Sequence, residues 1–383
     1  MHASPPSQAA VEAAVSALID PTFERPLGEL GLIDEVRIEP RDAGEAASAE
    51  AGVRAHLRLR LVAPSDAHKA RVEAAAREAL ALLGVAEVVV AWELAVPMRS
   101  LTGEDPVPGV KNVVLVMSGK GGVGKSTCAA NLALALQRAG ARVGLLDADV
   151  YGPSVPTMFG LEGGHPTSGD GVHIDPLERF GVKLMSIGFL VEDAKQAVVW
   201  RGPMLSGALT QFLKDVDWGR LDYLLLDLPP GTGDVALTLA QRVKVTGAVM
   251  VTTPQEVALV DVYKAVSMCE KLSLPVLGVV ENMSYFVDTA GVRHDLFGKG
   301  GGEKIAEFAK APLLGQVPIE QAVREWGDKG TPIVQAAPGS ASALAFVEIA
   351  DKLARSLAVA QWKRSGGAKA PSGAGPTRLK IVR

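Results

Sequence analysis

Residues Val116–Leu136 read VMSGKGGVGKSTCAANLALAL. Gly119, Gly124, Lys125 and Ser126 satisfy the spacing G-x-x-x-x-G-K-[ST] of a phosphate-binding loop, directly after an apolar run and directly before a helix-length segment. That context argues against a chance glycine-rich turn. Glycines let backbone N–H groups turn inward around phosphate oxygens, where a side chain would block them. The start of the helix adds the positive end of its dipole. Lys125 is placed to put charge on the β and γ phosphates and Ser126 to hold Mg²⁺, so the expected ligand is a nucleoside triphosphate with Mg²⁺. Gly119, Lys120, Gly121, Gly122, Val123, Gly124, Lys125, Ser126 and Thr127 form the expected nucleotide cradle. Lys120 is one lysine more than such a loop requires.

The pattern around the loop sets the fold class. From Asn112 onward, short apolar runs alternate with helix-length segments: VVLVM, RVGLLD, DYLLLD, GAVMVT, VLGVVE and PLLGQV. Continuous rather than alternating apolar runs suit strands covered on both faces, hence a mostly parallel sheet with helices on both sides. Residues 112–362 are expected to form this α/β P-loop NTPase domain.

Residues 8–97 read differently, as a small α+β domain. A helix over Ala9–Ile19 precedes an alternating strand, VRAHLRLRLV (Val53–Val62). A second helix spans Asp66–Gly84, closed by a glycine of the helix-capping kind, and EVVVAWEL is a candidate last strand. Residues 98–111, MRSLTGEDPVPGVK, are rich in Pro and Gly and read as a linker. Residues 363–383 are Gly/Pro/Ser-rich, basic and free of acid, and read as a flexible tail.

Composition narrows the function. The net charge of −4 argues against bulk nucleic-acid binding. No apolar run reaches membrane-spanning length, and the first residues lack a basic region followed by an apolar one, so no signal peptide is expected. The two cysteines, Cys128 and Cys269, have no ligand spacing. A reducing cytoplasmic setting is the expectation.

Other acids complete the site. Asp227 ends the apolar run of DYLLLDLPPGTGD, where a carboxylate can reach Mg²⁺ through water. Pro229–Asp234 has the glycines a γ-phosphate sensor needs in order to move. RVGLLDADVYGPS places Asp147 and Asp149 at the end of another strand, one of them a candidate to position or activate the attacking water; turn chemistry is the alternative.

Together SGKGGVGKST, DADVYGPS, WRGPM, DLPPGTGD and ENMSYF resemble the Mrp/ApbC family, ATPases of the deviant Walker A (MinD/ParA-like) class tied to iron–sulfur cluster assembly and transfer. LIDPTFERPLGELGLIDEVRI resembles the small metal–sulfur cluster assembly domain often fused in front. The resemblance implies a homodimer serving apo iron–sulfur client proteins or assembly factors, with neither nucleic acid nor membrane as partner. It makes Lys120 the signature lysine that reaches the partner protomer's phosphates, the physics being that of an arginine finger. It makes Asp149 the water-activating acid. It puts Asp227 and Gly231 in a second switch, and Asn282 and Pro318 against the adenine. Arg201 in VVWRGPM receives no role.

The family also implies a [4Fe–4S] cluster held by a CxxC shortly after the NMSYF equivalent. This chain has no cysteine there. Asp288 stands at the expected first position, with His294 nearby, and a tight hairpin YFV-DTAG-VRHDLF is the favoured reading. Ser65 and Asp66 likewise stand where relatives of the small domain often carry a cysteine. Cys128 and Cys269 read as core residues. Three functions therefore stay open: an ATPase aiding cluster assembly or delivery, a cluster-free nucleotide-gated switch, and a MinD/ParA-type positioning ATPase. The last wants an amphipathic C-terminal helix, which the Gly/Pro-rich tail does not supply.

Overall fold

The computed structural model describes residues 5–40, 52–101, 103–149, 152–190, 202–231 and 234–365. Arg201, most of the expected tail and two residues of Pro229–Asp234 lie outside them. The chain divides into two compact units, Met98–Leu357 and Met1–Pro97 with Ala358–Arg383.

The smaller unit contains α1 (Gln8–Ala17), β1 (Ile33–Pro40), β2 (Val53–Leu61), α2 (Asp66–Ala81) and β3 (Val85–Leu94). β2 is the middle strand, antiparallel to β1 and parallel to β3. Its alternating Ala55, Leu57 and Leu59 point into a core with Val11, Val15, Val72, Ala76 and Leu80 of the two helices. That is the period-2 face meeting two helical faces. Ser65 caps α2 by accepting the His68 N–H at 3.0 Å, so this serine does the work of a helix start.

The larger unit contains β4 (Val113–Ser118), α3 (Lys125–Arg138), β5 (Val143–Asp147), β6 (Leu177–Arg179), β7 (Val182–Ser186), α4 (Gly202–Asp215), β8 (Tyr223–Asp227), α5 (Asp234–Arg242), β9 (Gly247–Thr252), α6 (Glu256–Lys271), β10 (Val276–Glu281), α7 (Gly301–Ala309), β11 (Leu313–Gln316), α8 (Gln321–Asp328) and α9 (Ala341–Arg364). Eight strands form one sheet in the order β11-β10-β9-β4-β8-β5-β7-β6, parallel throughout except for β6 at one edge. Every residue of β4, β5, β8 and β9 is buried, as a sheet covered on both faces requires. Each buried leucine of the run Leu224–Leu226 contributes about 1.5–3 kcal/mol. α3 is apolar on nearly all sides, and Cys128–Leu136 are buried without a break, so it packs as an interior helix.

Two stretches near the boundaries are held by specific contacts. Arg99 is 3% exposed and donates to Asp105 at 2.8 Å and to the carbonyls of Val107 and Val110 at 2.9 and 3.2 Å. Lys111 N–H bonds Leu221 O at 2.9 Å. One buried arginine thus satisfies two carbonyls of this Pro/Gly-rich stretch. At the other end, α9 continues to Arg364, and from Ala358 onward it belongs to the smaller unit. Trp362 there lies 5.4 Å from the Phe23 ring, with the Arg25 guanidinium over its face.

Candidate active site

The sheet brings the carboxyl ends of β4, β5, β8 and β10 to one side, where ligands bind in open parallel sheets. The loop Gly119–Gly124 leaves β4 there and enters α3. Two of its glycines are dictated by space. A Cβ at Gly119 would fall 2.4 Å from Val262 N, and one at Gly124, φ +78°, would fall 2.2 Å from Asn282 Nδ2. The loop is therefore pressed between α6 and the Asn282 turn.

Lys125 opens α3 and turns inward. Its Nζ is 3.2 Å from Ser126 Oγ and donates to the Asp227 carboxylate at the end of β8. Lys125 is 6% exposed and Asp227 fully buried. Burial pushes the Asp227 carboxyl up from its ordinary range, and Lys125 pulls it back. Oδ2 of Asp227 is buried with no hydrogen-bond partner among the described residues, an expensive state for a carboxylate oxygen unless something else takes it up.

Asp147 ends β5 in register with Asp227. Burial first, and the Asp227 charge second, raise its carboxyl as well. It accepts the Asp149 N–H on Oδ1 and the N–H groups of Ser154 and Val155 and the Ser186 hydroxyl on Oδ2, all at 3.1 Å. Its geometry is that of a brace holding the loop that carries Asp149, itself half-buried.

Lys120 sits apart from this cluster. It is about one-third exposed, with Nζ 3.9 Å from Asp261 Oδ2 on α6, an acid shared with Lys264. On the far side of the loop, a cavity of about 360 Å³ is lined by Gly124, Thr127, Asn282, Met283, Pro318 and Arg324, among others. Asn282 donates from Nδ2 to Val123 O at 2.9 Å. The two residues expected against a base thus share one cavity beside the phosphate loop.

The hairpin is a turn. Phe286 pairs with His294 and Val287 with Arg293. Asp288 accepts the Ala290 and Val292 N–H groups at 2.9 Å on one oxygen, and its other oxygen lies 2.7 Å from His294 Nε2. These contacts, His294 first, hold the Asp288 carboxyl below its ordinary range. Among the described residues no group of three or more metal-ligating side chains comes together. Cys128 and Cys269 are both fully buried, and burial pushes Cys269 up to about 12 and Cys128 further.

Sequence reasoning passes over Glu281. It is a third acid ending an apolar strand, the same pattern that singles out Asp147 and Asp227, and it is fully buried one residue before Asn282.

A strand–glycine loop–helix cradle, with its inward lysine facing a strand-end aspartate on a parallel sheet, defines a P-loop NTPase. The family described as "ParA: NUBPL iron-transfer P-loop NTPase" matches residues 109–354. The chain is 48% identical over 349 residues to the iron–sulfur cluster carrier protein of Deinococcus radiodurans, covering 90% of this chain and 94% of that one. It is 48% identical over 306 residues to the iron–sulfur cluster carrier protein of Escherichia coli K12, covering 79% and 83%. A solved nucleotide-binding protein from Archaeoglobus fulgidus, in complex with ADP, shares 44% identity at a TM-score of 0.52, covering 58% of this chain and 87% of that one. The chain belongs to the NUBPL iron-transfer P-loop NTPase family. Among the described residues, no helix is long and apolar enough to cross a membrane.

Proposed function

We propose that this chain binds Mg–ATP on the Gly119–Thr127 cradle, hydrolyses it within a homodimer, and uses the cycle to aid assembly of iron–sulfur clusters or their transfer to apo-proteins. The observation that carries the reading is the buried meeting of Lys125, Ser126 and Asp227 under the glycine loop. The unpartnered Oδ2 of Asp227, through water, and the Ser126 hydroxyl are the groups that would hold Mg²⁺. When bound, Mg²⁺ neutralises charge on the phosphate oxygens.

The protein's own groups divide the work. The loop N–H groups and Lys125 hold the phosphates. Asn282, having given Nδ2 to Val123, offers Oδ1 as an acceptor to the amino group of a base beside Pro318. Asp149, on a loop braced by Asp147, orients or deprotonates the attacking water. Lys120 is tied to its own protomer by one long, half-exposed contact, worth about 0–1 kcal/mol. That contact is readily given up for a partner protomer's phosphates.

The cluster is cargo in this reading, and its handling departs from the family pattern. Iron–sulfur clusters take thiolate ligands. The Asp288–His294 hairpin offers none, and the two thiols of the chain are buried and protonated. The residues present do not fit a cluster held on that hairpin. This favours the second reading, a nucleotide-gated dimer that grips and releases a client or assembly factor without holding the cluster itself.

One experiment tests both. ATP affinity and hydrolysis are measured with and without Mg²⁺, followed by anaerobic reconstitution with iron and sulfide. Mg-dependent turnover without bound iron supports the cluster-free switch. Stoichiometric iron and sulfide restore the carrier reading, and no ATP binding overturns both.

A further inference from the structure

Glu281 is fully buried at the end of β10, and its carboxyl joins three segments. Oε1 accepts the Ser284 hydroxyl at 2.5 Å and the Gln316 side-chain amide at 2.8 Å. Oε2 accepts the Gly302 N–H at 2.6 Å, at the start of α7. Three donors suit an acceptor-only carboxylate, and the α7 dipole favours a negative charge there. The approach is close: a Cβ on Gly302 would fall 2.8 Å from Glu281 Cβ.

What these bonds hold is a strained turn. Met283, between Asn282 and Ser284, has φ +52°, a left-handed conformation that a side chain adopts only where its surroundings enforce it. Asn282 N–H bonds Thr252 O at 2.8 Å, Ser284 N–H bonds Val317 O at 2.9 Å, and the Glu281–Ser284 bond closes the turn. Asn282 and Met283 are the two residues this turn presents to the cavity beside the phosphate loop. Glu281 does not line that cavity.

We propose that Glu281 is a positioning residue: by locking the Asn282–Met283 turn through Ser284, Gln316 and Gly302, it sets how tightly the cavity holds the base of a nucleoside triphosphate. This inference rests on reading the cavity as the base site. The phosphate cradle is built mainly by other elements and meets this turn at Val123 and Gly124, so the proposal predicts a larger loss for a ligand with a base than for one without.

The test compares Mg–ATP with inorganic Mg–tripolyphosphate, which carries the phosphates without the base. Binding of both is measured by calorimetry for the parent chain, Glu281→Gln and Ser284→Ala. The substituted side chain in Glu281→Gln keeps the shape but puts an amide N–H₂ in place of one carboxylate oxygen, facing either the Gly302 N–H or the Ser284 and Gln316 donors, so at least one of these bonds is lost or must reverse. The expected result for Glu281→Gln is an approximately tenfold loss of ATP affinity, about 1.4 kcal/mol, with tripolyphosphate affinity falling by a much smaller factor. In turnover the loss falls on KM rather than kcat. Ser284→Ala, a smaller change that keeps the buried carboxyl, shifts ATP affinity in the same direction by a smaller factor. Equal weakening of both ligands would mean a merely structural role and overturn the proposal, as would no change in either. A parent chain that binds tripolyphosphate as tightly as ATP would instead overturn the base-site reading on which the proposal stands.

Discussion

In the larger unit, one aspartate paired with a lysine and another paired with a histidine differ in surroundings. Lys125–Asp227 is sealed, at 6% and 0% side-chain exposure. His294–Asp288 stands in the open, at 44% and 32%. Burying two ions costs several kcal/mol each before their attraction is counted, so the first pair persists only in a site built around it. The second is a turn aspartate that satisfies two backbone N–H groups and a histidine, the ordinary behaviour of Asp in a loop. An acid after a strand is therefore chemistry or punctuation according to burial and to what faces it.

The largest effect that would break this contrast is at Lys125. Lys125→Ala is expected to abolish nucleotide binding, by about a thousandfold or more in Kd, and to cost about 3–5 kcal/mol of stability by stranding Asp227. Lys125→Ala/Asp227→Asn should recover most of that stability and none of the binding. Calorimetric titration and denaturant melts separate the two roles. Tight ATP binding by the single variant would remove Lys125 from the phosphate site.

Next come the groups beside the pair. Asp149→Asn is expected to slow hydrolysis by about 10²–10⁴ while ATP binding stays within a few-fold. Lys120→Ala is expected to slow it by about 10²–10³ and to weaken ATP-dependent dimerisation, with protomer affinity for ATP spared. Steady-state turnover and sizing with and without ATP read both. Unchanged turnover in Lys120→Ala would confine that lysine to its contact with Asp261.

Much of this is legible in the sequence, for physical reasons. The strands of the large sheet are continuous apolar runs because both faces are covered, and six of them can be read directly. β7 escapes such a reading: VKLMS is five residues long and begins with an alternation that carries no two-sided signal. β1 escapes it because its exposed acids mask a half-buried strand. The phosphate loop is legible because its glycines answer to local sterics. Among the described residues of 98–111, one buried arginine bonds the carbonyls of Val107 and Val110, and composition does not encode that. Glu281 passes unnoticed because its partners, Gln316 and Gly302, are remote in sequence.

A smaller effect concerns the thiols. Cys128 and Cys269 are fully buried, with their thiols held far above neutral pH, so neither is a thiolate near pH 7. Iron and acid-labile sulfide after anaerobic reconstitution are expected near zero per dimer, and alkylation of the native protein is expected to be slow and to accelerate only on unfolding. A stable cluster that disappears in Cys128→Ala/Cys269→Ala would show that these thiols open to serve as ligands.

The smallest expected effect is at the open pair, and it sharpens the contrast most. Asp288→Asn and His294→Gln should leave ATP turnover within about twofold, since exposed pairs contribute little and the hairpin lies outside the cavity and the phosphate loop. The Asp288 carboxyl is held below its usual 3.8, so its stabilising contact is present above that value. The contact is lost as pH falls through the lower folded value. Any difference in melting temperature between the parent chain and Asp288→Asn should therefore be small at pH 7 and shrink further in acid. A tenfold fall in turnover from either substitution would mean that the hairpin takes part in the reaction, and exposure would no longer separate the two pairs.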